Sequence, residues 1–209
     1  MTAASAGRRI IVFARAPVPG RCKTRLIPAL GRLGAARLHQ QLIVTTLRTA
    51  LRAGVPVELW CAPDTRHGFF KACRRGFGVR LRRQPAGDLG RKMALALGTA
   101  LGEGNRGVLV GTDCPSLAPS DYARAFAALD RNAATVLQPS ADGGYVLIGA
   151  RTPPRGSLAG IRWSSGREYR QTLAALRRCG LSSVSLQVKA DVDTPADYRR
   201  ARRAGLIGR

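Results

Sequence analysis

The acidic residues of this sequence are few, and several of them lie where chemistry could use them. Only 12 Asp and Glu residues accompany 35 Lys and Arg residues. Asp113 directly follows an apolar segment, Asp142 directly precedes another, and Asp191 and Asp193 follow a third. In α/β proteins ligands bind at the carboxyl ends of the strands, and Mg²⁺ is commonly held there by one or two carboxylates. This placement predicts that Asp113 binds a divalent cation.

Each of these acids also has a simpler interpretation. Asp113 could cap a turn or pair with one of the many arginines. The sequence Asp142-Gly143-Gly144-Tyr145 permits close backbone approach, but Asp-Gly-Gly is also an ordinary hairpin turn. Asp191 and Asp193 alternate along an extended segment and therefore face the same side. Two carboxylates so close repel each other unless a cation or an arginine lies between them.

A second candidate is the basic loop at 15–26, which follows the first apolar segment. Its four cations, Arg15, Arg21, Lys23 and Arg25, could hold a phosphate through guanidinium forks and an ammonium. No glycine directly precedes Lys23, so the loop is not a Walker loop. It could also be a solvated loop of an arginine-rich protein. Its position after the first strand favours a functional role.

Two further acids fit helix caps. Thr194, Pro195 and Asp197 have the spacing of a capping box with proline at the first helical position. Asp88 could cap the helix that follows it, or it could lie in a loop that faces a nucleotide.

Short apolar segments alternate with helical patterns along the chain, which predicts a single three-layer α/β/α domain with a mostly parallel central sheet. Residues 1–8 are expected to be a disordered tail and 9–209 the domain. The predicted strands are 10–14, 55–61, 79–84, 107–111, 134–138, 145–148 and 184–188. The predicted helices are 33–51, 69–75, 92–101, 119–130, 169–179 and 195–204.

The composition excludes some classes of function. The net charge of +23 suggests binding to nucleic acid, but the basic residues are mostly arginine and are spread along the whole chain, which argues against it. No apolar segment approaches the ~20 residues of a membrane span, and the five cysteines follow no metal or disulfide pattern. We therefore expect a cytoplasmic protein. Its oligomeric state does not follow from the sequence.

Five motifs occur in the same order in a bacterial family of GT-A-type transferases, often labelled arsenosugar-biosynthesis glycosyltransferases. The motifs are 13–21, 23–26, 111–115, 141–145 and 191–195. The sequence resembles this family over about residues 9–201, and the family belongs to the nucleotide-diphospho-sugar transferase superfamily. Cys22 departs from it, because a small aliphatic residue is commoner at that position. The same motifs also resemble the 2-phospholactate and molybdenum-cofactor guanylyltransferases of the superfamily.

The resemblance implies a GT-A fold and a role for each motif. Mg²⁺ or Mn²⁺ would be held by Asp113 and Asp193, with Asp191 in support, and catalysis would depend on Asp113, Lys23 and Arg25. The nucleotide and its phosphates would contact Arg15, Pro17, Gly20, Arg21, Lys23, Thr24, Arg25 and Asp88. The acceptor side would comprise Asp142, Gly143, Gly144, Tyr145 and Trp163.

The favoured hypothesis is a metal-dependent glycosyltransferase that uses a nucleoside-diphosphate sugar and a small-molecule acceptor. The alternative enzyme is a nucleotidyltransferase that joins a nucleoside triphosphate to a phosphorylated acceptor. A third possibility is a non-catalytic basic module that binds RNA or another protein. The low aromatic content, 5% of residues, counts against RNA binding because few side chains can stack on bases.

Overall fold

Seven strands form one sheet in a computed structural model that describes residues 7–154 and 156–208. The strands are β1 (Arg8–Arg15), β2 (Val57–Ala62), β3 (Arg80–Arg83), β4 (Arg106–Val110), β5 (Thr135–Pro139), β6 (Tyr145–Ala150) and β7 (Ser183–Ser185). Their order across the sheet is β3-β2-β1-β4-β6-β5-β7. All neighbouring pairs are parallel except those that involve β6, which runs antiparallel to both β4 and β5.

Six α-helices and one 3₁₀ helix (Thr24–Leu26) complete the described part of the chain. The helices are α1 (Ile27–Leu51), α2 (Gly68–Phe77), α3 (Leu89–Gly102), α4 (Pro119–Asp130), α5 (Glu168–Arg178) and α6 (Pro195–Arg203). Alternate residues of β1 point to opposite faces of the sheet, so Ile10 and Val12 pack with α1, α2 and α4, whereas Ile11 and Phe13 pack with α3. Both faces of the sheet are therefore covered.

The predicted α/β fold with a mostly parallel sheet is confirmed. Residues 1–6 of the predicted tail lie outside the described residues, and Arg8 already belongs to β1. Helix α1 begins earlier than predicted, because one helical turn precedes a kink at Gly31, where φ is 67°. Only glycine adopts such a backbone readily, so the main helix starts just after it, close to the predicted residue 33.

One edge of the sheet collects an end of each of the seven strands. The carboxyl ends of β1, β2, β3, β4, β5 and β7 lie there because these strands run in the same direction, and β6 begins there because it is antiparallel. The predicted acids at 113, 142, 191 and 193 all follow or precede these strand ends. In the described residues, no helix is long and apolar enough to cross a membrane.

A buried ion pair holds the segment after β7 against the sheet. Asp121, which is 1% exposed, accepts hydrogen bonds from the Ala118 amide at 2.9 Å and from Gln138 at 3.1 Å, and it lies 2.9 Å from Lys189. Burial opposes ionisation, but these donors outweigh it and hold the pKa of Asp121 below its usual value. The sequence gives Asp121 only as part of a helix start, and this structural role was not predicted.

Replacing the charge of Asp121 should destabilise the fold. Asp121→Asn leaves Lys189 without its counter-ion, so we expect a loss of roughly 2–4 kcal/mol in unfolding free energy at pH 7. The pKa is lower in the folded state than the ordinary 3.8, so the carboxylate stabilises the fold above that value and its contribution is lost as the pH falls through the lower one. Guanidinium unfolding at pH 7 and pH 3.5 should show the difference between wild type and variant shrinking in acid. Asp64→Asn, in a surface turn with Arg66, is the control; equal stability of wild type and Asp121→Asn at pH 7 would contradict the assignment.

Candidate active site

The ammonium of Lys23 joins the loop after β1 to two other segments. Its Nζ lies 2.8 Å from an oxygen of Asp113, 2.9 Å from an oxygen of Asp193 and 2.6 Å from the carbonyl of Val192. The side chain is only 5% exposed. Two of these contacts are hydrogen bonds, to the carbonyl of Val192 and to Asp193, and the contact with Asp113 is an ion pair. Lys23 therefore organises the acidic centre.

The conformation of Lys23 is unusual. Its φ is 47°, in the left-handed region that side chains other than glycine rarely adopt, and such backbones persist where the surrounding structure enforces them. Burial disfavours the charge on Lys23, but Asp113 and Asp193 outweigh it and raise the pKa above its ordinary value. Lys23 is therefore a fixed positive charge at neutral pH.

The backbone supports the same junction. The amide of Val192 donates to the carbonyl of Asp113 at 2.8 Å, which ties the segment before α6 to the end of β4. Asp197 accepts from the amide of Thr194 at 2.7 Å, and the hydroxyl of Thr194 caps the amide of Asp197. The predicted capping box is confirmed, and it fixes Asp193 just before the helix.

Three carboxylates converge at the centre of the edge. Oxygens of Asp142, Asp191 and Asp193 all lie within 4.8 Å of one another. Burial and the neighbouring carboxylates of Asp142, Asp193 and Asp113 raise the pKa of Asp191 to about 6. A divalent cation between these oxygens would relieve the repulsion, and oxygen donors suit Mg²⁺ or Mn²⁺. Asp191 and Asp193 of the predicted metal group therefore cluster with Asp142, whereas Asp113 is not part of this cluster and, like Asp193, pairs with Lys23. The metal role of these residues stays a prediction.

A basic cavity of about 660 Å³ opens beside this centre. Its cations are Arg15, Arg21, Lys23, Arg25 and Lys92. Thr24, Asp113 and Asp193 also line it. Of the residues predicted to hold a nucleotide, those at 15, 21, 23, 24 and 25 are therefore brought together.

The other predicted nucleotide residues lie elsewhere. Pro17 is buried and Gly20 has a φ of 81°, so both shape the loop without lining the cavity. Asp88 caps α3 by accepting from the Arg91 amide at 2.8 Å, which is the structural alternative that the sequence left open.

A smaller cavity of about 280 Å³, here called the acidic–aromatic cavity, adjoins the basic one. Both are lined by Phe13, Leu89, Gly111, Asp113 and Ser164. The further walls of the acidic–aromatic cavity include Asp142, Gly144, Tyr145, Trp163, Glu168 and Asp191. The rings of Tyr145 and Trp163 meet edge to face, with centroids 6.2 Å apart and an interplanar angle of 75°. Four of the five residues predicted for the acceptor side therefore line one cavity.

Gly143, the fifth, has a structural task instead. Its φ is 92°, and a Cβ there would lie 2.0 Å from the carbonyl oxygen of Gly166. Its own carbonyl accepts from the amide of Tyr169 at 3.1 Å. The close approach that the sequence predicts at Gly143 is thus made by the chain itself, and it holds the loop that carries Trp163.

Three charged or titratable residues that line the cavities were not predicted as site residues. Lys92 and Glu168 lie in the first turns of α3 and α5, and only the packing of those helices brings them to the sheet edge. His39 is 6% exposed in α1, with Nε2 3.0 Å from the carbonyl oxygen of Arg15, and burial lowers its pKa. A neutral histidine here fixes the end of β1. No sequence pattern marks any of the three.

The comparison with protein families now becomes informative. A family model described as "Uncharacterized protein conserved in bacteria (DUF2064)" matches residues 45–165, more than half of the chain. The chain belongs to the DUF2064 family. The matched segment contains Asp113, Asp142 and Trp163, whereas Lys23 and Asp193 lie outside it. A search of curated proteins finds no match.

Solved structures place this DUF2064 chain among the nucleotide-diphospho-sugar transferase folds. A protein of Desulfovibrio desulfuricans G20 with the provisional name nucleotide-diphospho-sugar transferase is 28% identical, with a TM-score of 0.85 over 95% of this chain and 87% of that one. A nucleotidyl transferase from Methanothermobacter thermautotrophicus is 16% identical, with a TM-score of 0.62 over 96% and 99% of the two chains. A CMP:2-keto-3-deoxy-manno-octonic acid synthetase complexed with CTP is also 16% identical, with a TM-score of 0.59 over 95% and 98%. The superfamily that the sequence resembles is supported, and the narrower arsenosugar-type family is not distinguished.

The contact between Gly143 and Gly166 gives a stability prediction for the DUF2064 chain. Gly143→Ala should lower the free energy of unfolding by on the order of 2–4 kcal/mol, because the positive φ and the clash with a backbone carbonyl both oppose a Cβ. Gly98→Ala in α3 is the matched control: no atom lies within 4 Å of the added Cβ, so we expect a gain of about 0.5–1 kcal/mol. Urea unfolding measures both changes, and a neutral Gly143→Ala would show that the contact is not required.

Proposed function

We propose that this protein is a transferase that depends on Mg²⁺ or Mn²⁺ and uses a nucleotide-activated donor, namely a glycosyltransferase acting from a nucleoside-diphosphate sugar to a small-molecule acceptor. One observation carries the proposal: two adjoining cavities of opposite character share Asp113 at their boundary. A transferase needs such a pair, because donor and acceptor must meet at one point while being recognised separately.

The basic cavity has the size and charge for the donor. Arg15, Arg21, Arg25 and Lys92 offer guanidinium and ammonium donors to a diphosphate. Lys23 is nearly buried and is held by Asp113, Asp193 and Val192, so most of the phosphate contacts fall to the other four cations. This assigns Lys23 a positioning role in place of the phosphate contact that the resemblance implies.

The three converging carboxylates have the chemistry for the metal. Asp142, Asp191 and Asp193 would supply hard oxygen ligands, and the pKa of Asp191 is raised by burial and by the neighbouring carboxylates, whose repulsion a cation would remove. A bound Mg²⁺ or Mn²⁺ would stabilise negative charge on the departing diphosphate. Lys23 holds Asp193 in place by its ion pair, and the capping box of α6 holds the backbone on the other side.

The acidic–aromatic cavity favours glycosyl transfer over transfer to a phosphorylated acceptor. Of its described lining residues, none is Lys or Arg, and four are carboxylates: Asp113, Asp142, Asp191 and Glu168. A phosphate group there would meet like charges and no basic partner. An acceptor with hydroxyl groups fits these oxygens better, because carboxylates accept hydrogen bonds.

Nucleotidyl transfer is the second candidate, and the basic cavity favours it. Five cations around a volume of about 660 Å³ would also suit a triphosphate. The fold is shared with a synthetase that was solved with CTP. In that case the acceptor would reach the α-phosphate from the acidic–aromatic side.

A donor screen with and without metal separates the two reactions. With Mg²⁺, nucleoside-diphosphate sugars should raise the melting temperature more than nucleoside triphosphates do, by the linkage between binding and stability. In Asp191→Asn, the metal-dependent part of this shift should be lost, because the cation loses one of three ligands. Glu103→Gln, whose carboxylate pairs with Arg82 away from both cavities, serves as the control. Stabilisation by triphosphates alone would decide for nucleotidyl transfer.

Turnover should depend on Asp113. Asp113→Asn removes one counter-charge of Lys23 at the boundary of the two cavities, so we expect activity to fall by on the order of a hundredfold. The fold should be retained, because Asp193 still pairs with the ammonium of Lys23. Release of nucleoside diphosphate from the best donor in the screen is the measurement. Asp64→Asn should keep full activity, and full activity of Asp113→Asn would remove Asp113 from the mechanism.

A further inference from the structure

The acids that lack an ion-pair partner are concentrated around one cavity. Of the 12 acidic residues in the sequence, eight form ion pairs with a described Arg or Lys. Within the described part of the chain the other four, Asp88, Asp142, Glu168 and Asp191, form none. Asp88 caps α3. The remaining three all line the acidic–aromatic cavity.

This distribution is notable because cations are abundant. With 35 Lys and Arg residues available, an unpaired carboxylate is easily neutralised by a neighbouring side chain. At this cavity the chain supplies no such neighbour among the described lining residues. The unpaired carboxylates therefore give this cavity a negative potential, although the protein as a whole is strongly positive.

A divalent cation would neutralise only part of the negative charge of the carboxylates at this cavity. Asp142, Asp191 and Asp193 carry three negative charges, and a Mg²⁺ among them would leave one. Lys23 already neutralises part of the charge on Asp113 and Asp193. Glu168 is 7% exposed, and its Oε1 accepts from the Ser165 amide at 2.6 Å. It is not among the three clustered carboxylates, so a cation bound there would not contact it, and it lines the cavity together with Tyr145 and Trp163.

The aromatic wall gives the second part of the recognition. The rings of Tyr145 and Trp163 pack edge to face at an interplanar angle of 75°, and Phe13 lines the same cavity. The faces of aromatic rings attract cations, most strongly alkylated ammonium groups that give up their water easily. Rings and carboxylates around a small cavity are complementary to an organic cation, and rings alone would suit a neutral apolar group equally well.

We propose that the acidic–aromatic cavity binds a positively charged organic group of the substituted-ammonium type, held by Glu168 and by the rings of Trp163 and Tyr145. The proposal rests on the proposed function in taking this group to be part of the acceptor. The binding itself does not require turnover, so it can be measured independently of any reaction.

Choline and its uncharged carbon isostere, 3,3-dimethyl-1-butanol, provide the test, because they share shape and differ in charge. The chain has two tryptophans, and Trp60 is buried outside this cavity. In a Trp60→Phe background, quenching of Trp163 fluorescence therefore reports binding in the cavity. We expect choline to bind at least about tenfold more tightly than the isostere, with Mg²⁺ present and ionic strength constant.

Glu168→Gln is the informative variant, because the amide oxygen can still accept from the Ser165 amide while the charge is lost. This variant should lower the affinity for choline by about fivefold or more and leave the affinity for the isostere unchanged. Glu103→Gln should change neither affinity, because Glu103 follows the carboxyl end of α3 and the cavity is lined by Leu89 and Met93 near the amino end of that helix. Equal binding of choline and isostere, equal affinity of choline for wild type and Glu168→Gln, or inorganic phosphate that competes with choline would each overturn the proposal.

A second titration in the same samples keeps the two proposals apart. Binding of a nucleoside diphosphate with Mg²⁺, measured by calorimetry, reports on the basic cavity. If choline binds and the nucleoside diphosphate does not, the proposed cation site is supported and the transferase function is contradicted. If the nucleoside diphosphate binds and choline binds no more tightly than its isostere, the transferase function is supported and the cation site is contradicted.

Discussion

The ammonium of Lys23 is the interaction on which the candidate site depends. It is nearly buried and contacts Asp113 after β4 and Asp193 before α6, so one side chain connects three segments that are far apart in sequence. Without this charge, two carboxylates would face each other in a partly buried setting, which electrostatics strongly disfavours. The strained backbone at Lys23 is consistent with that demand, because the loop must present the amine inward.

Charge is sorted sharply around this junction. Arginines and lysines line the basic cavity, whereas unpaired carboxylates and aromatic rings line its neighbour. The sorting separates two cavities that share lining residues, in a protein whose overall charge is +23. Net charge alone therefore says little about this protein's partners, and the local arrangement of the few acids says more.

The sequence predicts the architecture well, because alternating strand and helix patterns leave few arrangements other than a parallel sheet. The resemblance to GT-A-type transferases implies that Asp113, Asp191 and Asp193 share one site; Asp191 and Asp193 do cluster, and Asp113 and Asp193 both contact Lys23. The place of Asp142 among the clustered acids was not predicted. Asp-Gly-Gly reads equally well as a turn, and only the packing of the hairpin against Gly166 brings its carboxylate to the centre.

The contacts of single side chains were harder to predict from the sequence than the fold. From the sequence, Lys23 was predicted to lie near a phosphate, whereas its contacts with Asp113, Asp193 and Val192 depend on distances that no motif encodes. Lys92 and Glu168 reach the cavities from helices whose positions are set by core packing. Their identities as site residues therefore come from tertiary structure.

The reversed direction of β6 has a consequence for how such a protein can diversify. Because β6 runs antiparallel to β4 and β5, it begins at the sheet edge that carries the site, and the chain after it must return to that edge before α5, whose Glu168 lines the acidic–aromatic cavity. This returning segment contributes Trp163 and Ser164 to the cavity and no residue to a strand, so substitutions at the cavity wall need not alter the register of the sheet. Lys23 is contacted instead by Asp113 after β4 and by the segment after β7. Side chains of the segment between β6 and α5 can thus change the acidic–aromatic cavity while Lys23 keeps its contacts with Asp113 and Asp193.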